Sequence, residues 1–351
     1  MVDPATARSP RGAVRLNGIA LDACESWEIV SRGGACADRF TIRLATAALP
    51  PGLGADWFAA ADALDAEIFA SADPPPGWQP GEADRLMLGA VDDVSLDPLC
   101  GLVTLTGRDR TQRLIDVSFS VGYLNQTSSD IATALAKAHG LSPVVTATTT
   151  PIGTFYNQNH ASLTQRRSAW DVLTELAAYE GFAVYVTGEV LHFEPLPAVG
   201  AGAYALVWQG GGDVASANVT RLRLDRSLTL AGGVMVTVRS WHAREGQSYS
   251  AQWPQDGTGS NALAYDFIAA GLTQDQCRGF AEARWREIAQ HGLTLCAELP
   301  GDGGLDCRTL LTLSGTGTAW DGAYLPDCVE RGMSAAEGYR MRVTAKALLA
   351  G

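Results

Sequence analysis

Residues 293–347 read LTLCAELPGDGGLDCRTLLTLSGTGTAWDGAYLPDCVERGMSAAEGYRMRVTAKA, and they contain the clearest strand pattern in the chain. Apolar and polar residues alternate in four short runs separated by Gly, Pro and Asp, at positions 293–299, 309–313, 324–329 and 339–345. A period of two over a few residues is typical of strands with one buried face. The stretch therefore predicts an antiparallel meander.

The residues just before this meander predict a helix over positions 274–290. Cys277, Ala281, Trp285 and Ile288 follow one another at offsets of four, four and three, so a helix places them on one face. A single helix followed by a meander predicts a small barrel or sandwich with the helix packed on it.

The first part of the chain predicts a second β-rich region. Asn17-Gly18 lies between two short apolar runs, which is the strongest local signal for a hairpin. Residues 27–31 and 39–44 alternate in polarity, and residues 86–96 and 102–106 predict a further pair of strands. We expect one β-barrel-like domain over residues 1–115.

The middle of the chain predicts a small α+β insert over residues 116–197. Asp130 follows a Ser/Thr-rich helix start, and Ser168 with Asp171 forms the pattern of a capping box. A hairpin is expected about Gly188-Glu189. Residues 198–212 are rich in Pro, Gly and Ala and predict a linker, so residues 213–351 would form the second β domain with helix 274–290.

Several short motifs, taken in order, resemble the phage late control protein D family, the central hub of tail baseplates. They are Gly107-Arg108-Asp109, the strand GGVMVTVRSW at 232–241, PGD at 300–302, GTGT at 315–318 before DGAY, and EGYRM at 337–341. The resemblance implies a mainly β chain in which two tail-tube-like β-barrel domains surround the insert. It also implies that Gly107, Arg108 and Asp109 form a structural junction after the first domain.

The resemblance further implies a homotrimer. Two similar domains per chain would give a pseudo-sixfold ring that joins a sixfold tail tube to a threefold central spike and lines the channel for DNA or effectors. The implied partners are the tail tube or distal tail protein, the spike, other baseplate proteins and the tape measure. The particle would be a contractile phage, a siphophage, a gene transfer agent or another injection system.

Charge is consistent with such a channel. Lys and Arg number 26 against 38 Asp and Glu, a net charge of −12, which argues against affinity for nucleic acid. Ten carboxylates lie between residues 56 and 97, with Arg85 as the single base. This acidic stretch is either a solvated surface or a wall that faces a channel. On the second interpretation Asp92 and Asp93 line or border the lumen, and DNA passes without specific binding.

The sequence predicts no catalytic site, cofactor or metal. The five histidines are scattered, no G-x-S-x-G motif occurs, and the seven cysteines lack a C-x-x-C pair, so we expect buried free thiols. No run of 18 apolar residues and no signal-peptide core are present, so we expect no membrane span. The expected location is the bacterial host cytoplasm during assembly, and then the tail of the particle.

Two alternatives remain at this point. The insert resembles LysM modules in pairing short helices with strands, which would make the chain a cell-wall carbohydrate-binding (peptidoglycan-binding) protein. The other alternative is a cell-wall hydrolase with an unrecognised site.

Overall fold

The computed structural model describes residues 9–34, 36–119, 123, 126–149, 167–197, 203–210, 216–242, 246–256 and 262–348. The chain is mainly β, with several sheets and a few helices. The strands are β1 Arg11–Leu16, β2 Ile19–Leu21, β3 Cys24–Arg32, β4 Arg39–Ala45, β5 Asp65–Ser71, β6 Arg85–Asp97, β7 Leu102–Asp109, β8 Ser118–Phe119, β9 Ser142–Val145, β10 Arg167–Ser168, β11 Phe182–Thr187, β12 Val190–Pro195, β13 Tyr204–Gln209, β14 Ser216–Ala217, β15 Arg221–Arg226, β16 Val234–His242, β17 Gln247–Trp253, β18 Leu263–Ile268, β19 Leu293–Pro300, β20 Leu311–Ser314, β21 Gly322–Ser334 and β22 Gly338–Ala347. The helices are α1 Ala55–Ala59, α2 Gln112–Ile115, α3 Ser128–Ala138, α4 Ala169–Glu180, α5 Leu228–Ala231 and α6 Gln274–Ala289.

One sheet of 14 strands contains most of the β structure and runs through both β-rich regions. Its central path has eight strands in the order β6-β7-β4-β3-β21-β22-β19-β15, and each neighbouring pair is antiparallel. We call β1–β7 the first half and β13–β15 with β19–β22 the second half.

Strand β21 belongs to both halves. Along one edge it pairs with β22; along the other it pairs first with β20 and then, from Cys328 to Ser334, with β3. A bulge between Pro326 and Cys328 marks the change of partner. Proline has no N–H to donate, so a bulge is one of the few places where a strand accommodates it.

The core of the first half comes mostly from one continuous part of the sequence. It contains the inward side chains of β1, β3, β4, β5, β6 and β7, and Tyr339 from β22 completes it. The rings of Tyr339 and Trp27 lie 5.6 Å apart at an angle of 56°. The C-terminal hairpin therefore helps to close a core that lies some 300 residues earlier in the sequence.

A barrel was expected over residues 1–115. The first half is instead a curled sheet, and its hydrogen-bonded strands do not close into a circle within the described residues. A Cβ on Gly12 of β1 would lie 2.7 Å from Met333 Sδ and 2.8 Å from Trp27 Nε1, so β1 reaches the β3–β21 boundary. At that point β1 contacts the side chains of Met333 and Trp27, and no backbone pairing between β1 and β3 or β21 is found in the described residues.

The four alternating runs of residues 293–347 form strands β19 to β22 as predicted. The predicted meander is wrong, because the order in the sheet is β20-β21-β22-β19, so β19 pairs with β22 where a meander would pair it with β20. The helix predicted before these strands is α6, with Cys277 and Ala281 buried. However, α6 packs on β16 and β17 and not on β19 to β22. Strands β17, β16 and β18 form a separate three-stranded sheet, and this sheet with α6 has its own core.

The insert is an independent core of two helices and a small sheet. Helices α3 and α4 begin with the capping boxes of Thr127 and Ser168, and α4 ends at Gly181 in the left-handed region, as the sequence predicted. Strands β11 and β12 form the hairpin about Gly188, and β9 adds parallel to β12.

The predicted linker contains a strand. Tyr204–Gln209 forms β13, which pairs parallel to β20, and Leu206 is buried in the core of the second half. Residues 204–208 read YALVW, a short apolar run without polarity alternation, and the Pro, Gly and Ala residues around it directed the prediction to a linker.

Candidate functional site

The candidate functional surface is one face of the eight-strand path. In an antiparallel sheet, cross-strand partners point to the same side. Val103, Ile42, Ile29, Val329, Val343 and Ala297 point into the two cores. The opposite face carries polar side chains from one edge of the path to the other: Asp93, Ser95, Thr104, Arg43, Thr41, Glu28, Glu330, Arg342, Glu298, Arg221 and Arg223. We call this surface the polar face.

Ion pairs cross the strands of the polar face in its second half. Arg342 Nη2 lies 3.0 Å from Glu298 Oε1, and Arg342 Nη1 lies 3.7 Å from Glu330 Oε2. The pKa of the Arg342 guanidinium is raised, chiefly by its hydrogen bond to Glu298. Arg221 Nη1 approaches the same Glu298 carboxylate at 4.0 Å. These charges alternate in sign across neighbouring strands.

The centre of the polar face is a groove of about 700 Å³. It lies over the β3–β21 boundary and is lined from both halves, with Glu25, Glu28 and Arg43 on one side and Glu298, Glu330 and Arg342 on the other. A wide groove with charges of both signs and no apolar pocket suits an extended polar partner or a solvent-filled passage better than a small apolar ligand.

The two acids singled out by the sequence occupy different positions. Asp93 is exposed on the polar face, opposite Thr106 of β7. Asp92 is the extra residue of a bulge, and its carboxylate binds Arg108 through two contacts, Nε–Oδ2 at 2.7 Å and Nη2–Oδ1 at 2.8 Å. Arg108 also donates to Asp116 at 3.1 Å. Asp92 is therefore an anchored residue, and Asp93 is a free surface acid.

The G-R-D motif lies where β7 ends, and each of its residues has a separate structural role. Gly107 faces the first core, where a Cβ would lie 2.1 Å from the Ala90 carbonyl oxygen and 2.4 Å from Phe40 Cζ. No side chain fits in that space. Arg108 crosslinks Asp92 on β6 with Asp116 after α2, at the entrance to the insert.

Asp109 is a buried carboxyl with an unusual proton affinity. Burial and the nearby Asp38 carboxylate raise the pKa of Asp109 to about 7, while the backbone N–H of Thr111 donates to its Oδ1 at 3.1 Å. The desolvation of a charged carboxylate is the larger cause. The sequence motif pointed to this position, but no pattern in the sequence indicated its burial.

The buried carboxyls lie at a junction where the first half, the insert and the second half meet. Arg308, in the loop between β19 and β20, lies 3.7 Å from Asp38 Oδ2 and packs over the Tyr185 ring of the insert at 4.3 Å. Tyr185 stacks on His192 with ring centroids 4.6 Å apart. Arg110 Nη1 contacts Asp65 Oδ1 of β5 at 2.7 Å, and Arg113 Nη2 reaches Glu189 Oε1 in the insert at 3.4 Å, which links the insert to the end of the first half. Sequence reasoning missed Arg308, because its partners lie about 120 and 270 residues away.

The His, Cys, Asp and Glu side chains, which form metal and catalytic sites in other proteins, do not cluster in the described part of this structure. Within the described ranges, no three His, Cys, Asp or Glu side chains come together in a way that would hold a metal ion. The cysteines are free thiols; Cys277 and Cys307 are buried, but Cys36 and Cys100 are exposed, so the expectation of burial is wrong for those two. No helix in the described part of the chain has the length and apolar character needed to cross a membrane.

The fold is similar to that of solved tail proteins. A tail protein from Neisseria meningitidis MC58 aligns with a TM-score of 0.71 and 15% identity, over 96% of this chain and 96% of that chain. The 43 kDa tail protein of prophage MuSo2 from Shewanella oneidensis aligns with a TM-score of 0.68 and 17% identity, over 97% and 98% of the two chains. No family model and no curated protein matches the sequence.

The likeness extends to a secretion system. A component of the type VI secretion system from E. coli, described as similar in structure to T4 bacteriophage tail proteins, aligns with a TM-score of 0.55 and 10% identity, over 96% of this chain and 77% of that chain. The chain therefore has the fold of phage tail proteins, as its motif order predicted.

Proposed function

We propose that this chain is a non-enzymatic tail or baseplate hub protein. Three copies form a pseudo-sixfold ring that joins the tail tube to the central spike, with the polar face turned toward a channel for DNA or effectors. The observation that carries the proposal is the continuous polar face, which crosses from the first half to the second through the shared strand β21.

The full length of the likeness supports this role. Both tail proteins are matched over at least 96% of their own chains, so the insert and both halves are part of the similarity. A ring built from such chains removes exposed strand edges, which otherwise invite uncontrolled association.

The charge of the polar face supports a passage for DNA. A wall rich in Lys and Arg retains a polyanion at physiological salt. On the polar face of the second half, Arg221, Arg223 and Arg342 each have a carboxylate within 4.0 Å, as in Arg342 with Glu298 and Arg223 with Asp225. Asp93 would border the lumen with a free carboxylate, and Asp92 would border it with its carboxylate bound to Arg108.

The proposed partners are the tail tube or distal tail protein, the spike, other baseplate proteins and the tape measure. Assembly would take place in the bacterial host cytoplasm, and the finished ring would remain in the tail. The insert and the three-stranded sheet with α6 lie outside the eight-strand path, where they are available for contacts with baseplate neighbours.

Light scattering coupled to size exclusion, followed by electron microscopy, tests this role. We expect a particle of about 111 kDa, three times the 37.0 kDa of one chain, with threefold symmetry and an open centre. A stable dimer with twofold contacts, or a monomer at all concentrations up to about 100 μM, would contradict the ring. A trimer whose centre is closed would contradict the channel.

A further inference from the structure

The three-stranded sheet β17-β16-β18 has one covered face and one open face. Val234, Val236 and Val238 of β16 point into the core shared with α6, so the residues between them point to the other side. Cross-strand partners on β17 and β18 add their side chains to that side. The open face consists of Met235, Thr237, Arg239, Trp241, Ser248, Ser250, Gln252, Ala264, Asp266 and Ile268. We call it the Trp241 face.

The side chains of the Trp241 face form a small grid. Each row has a residue of β16 in the middle, as where Arg239 lies between Ser250 of β17 and Ile268 of β18. Trp241 belongs to the next row on one side, and Asp266 to the next row on the other. From the spacing of strands and of alternate residues along a strand, these three rows cover about 10 by 13 Å.

The charge and size of the Trp241 face favour a small neutral ligand. Arg239 and Asp266 are the charged side chains among the ten that form it, and their Nη2 and Oδ1 atoms lie 3.5 Å apart. The net charge is therefore zero, which gives no attraction for a polyanion or a polycation. The three rows cover about 130 Å², whereas a stable protein interface takes about 800 Å² from each partner.

Trp241 gives this face the chemistry that sugars require. Its side chain is 58% exposed, although tryptophan is highly buried on average in folded proteins. A pyranose ring has an apolar side of C–H groups, and the negative face of an indole ring attracts them. The hydroxyls at the edge of the sugar need hydrogen-bonding partners, and the exposed side chains of Ser248, Ser250 and Gln252 on β17 supply them.

The rows beside Trp241 fit an N-acetyl group. Ile268 is 89% exposed next to Arg239, so an apolar side chain lies uncovered between a cation and the exposed Asp266. An acetamido group has a methyl, an N–H donor and a carbonyl acceptor. Ile268 contacts the methyl, the Asp266 carboxylate accepts from the N–H, and the Arg239 guanidinium donates to the carbonyl oxygen. A plain hexose satisfies none of these three contacts.

We propose that the Trp241 face binds a β-1,4-linked chain of N-acetylglucosamine units, the chemistry found in the glycan strand of a bacterial cell wall. One sugar ring stacks on Trp241, and the acetamido group of the next sugar lies against Ile268, between Arg239 and Asp266. The site belongs to the sheet packed on α6 and not to the insert. It does not depend on the proposed ring, because this sheet lies outside the eight-strand path.

Titration calorimetry of the full chain with tetra-N-acetylchitotetraose tests the stacking contact. We expect saturable binding, and Trp241→Ala should weaken it by at least about 10-fold, since truncating a central aromatic anchor has an effect of this size. The matched control is Trp208→Ala, which removes a 37% exposed tryptophan on β13 and should leave the affinity unchanged. Circular dichroism and thermal melting should show that both variants fold.

A second sugar tests the acetamido contact. Cellotetraose has the same β-1,4 backbone without N-acetyl groups, so the wild type should bind it at least about 10-fold more weakly. The double variant R239S/D266S keeps the net charge of the chain and should lose this preference, with the affinity for cellotetraose unchanged. Both substituted side chains are exposed, so the variant should fold.

Sedimentation with purified peptidoglycan tests the assignment to the cell wall. The wild type should pellet with it, tetra-N-acetylchitotetraose should compete, and Trp241→Ala should stay in the supernatant.

Four results would overturn the proposal. They are no binding of tetra-N-acetylchitotetraose up to about 5 mM, an equal affinity in the wild type and Trp241→Ala, an equal affinity of the wild type for the two sugars, and a wild type that stays in the supernatant with peptidoglycan. A loss in Trp208→Ala as large as that in Trp241→Ala would place the sugar elsewhere and overturn it as well.

Discussion

The two ends of the β6–β7 hairpin contain the same type of residue in opposite environments. At the base of the hairpin, Gly107 lies against Phe40 and the Ala90 carbonyl, and Asp109 is buried beside Asp38. At the tip, Asp97 and Leu99 are open to solvent, and Leu99 is 97% exposed. The acids of this protein therefore cannot be treated as one surface, because position along a single hairpin decides whether a carboxyl is buried or remains available to a partner.

The largest expected effect is at the base of the hairpin, from Gly107→Ala. The added methyl would meet the backbone of the adjacent strand and the Phe40 ring, neither of which can move without disturbing the sheet. We expect a loss of more than about 4 kcal/mol in the free energy of unfolding, or no folded protein at all. Urea denaturation followed by fluorescence measures this.

Gly34→Ala is the control for that substitution. A Cβ on Gly34 would have no heavy atom within 4 Å, so the same chemical change should cost less than about 0.5 kcal/mol there. Equal effects at the two glycines would show that the hairpin base is less tightly packed than the geometry indicates.

The second expected effect concerns the buried carboxyl. The folded state holds the Asp109 proton up to about pH 7, whereas in the unfolded chain the proton leaves near the ordinary pKa of 3.8. The folded state therefore binds more protons between these values, so the free energy of unfolding falls as pH rises from about 4 to 7. Since each pKa unit corresponds to about 1.4 kcal/mol, the fall attributable to Asp109 is at most about 4 kcal/mol.

Asp109→Asn should remove that dependence. The Asn side-chain oxygen can still accept from Thr111 N, so the variant should be more stable than the wild type at pH 8 and close to it at pH 4. Denaturation midpoints across pH 4 to 8 measure the difference. A variant that is less stable at pH 8 would mean that the Asp109 carboxylate is needed in its charged form.

The smallest effects compare neighbouring acids of β6. Asp92→Asn weakens the paired contacts with Arg108, although Asp116 still binds that guanidinium, so we expect a loss of about 1 kcal/mol. Asp93→Asn changes an exposed acid with no ion pair among the described residues and should cost less than about 0.5 kcal/mol. The loss at Asp92 should shrink in high salt. Equal costs at the two positions would contradict the distinction between anchored and free acids.

Much of the local structure could be predicted from the sequence. The hairpin turn at Asn17-Gly18 has positive φ at both residues, 47° and 79°, as its type requires. The capping boxes at Thr127 and Ser168, helix 274–290 and the four alternating C-terminal runs also form where their patterns indicated. Each of these features depends on residues within a few positions of one another, so the sequence states them directly.

The candidate site could be predicted only in part. The G-R-D motif identified a junction, and the charge count directed attention to Asp93. Neither indicated that Asp92 is held by Arg108 or that Glu298, Glu330 and Arg342 continue the polar face. The charged residues that alternate with apolar ones in residues 293–347 indicated a polar face on these strands. The sequence does not show how β21 aligns with β3, and this alignment joins the two parts of the polar face.

The sequence alone determined most of the strands, the capped helices and the uneven charge, because propensity, periodicity and capping act between residues that are close in the chain. The tertiary structure alone decided that β21 belongs to both halves, that β19 pairs with β22, that Tyr339 completes the first core, and that α6 packs on β16 and β17. It also decided which acids are buried. These outcomes depend on which apolar surfaces pack together from positions hundreds of residues apart. The free energy is shared among many distant contacts, so it leaves no local pattern in the sequence.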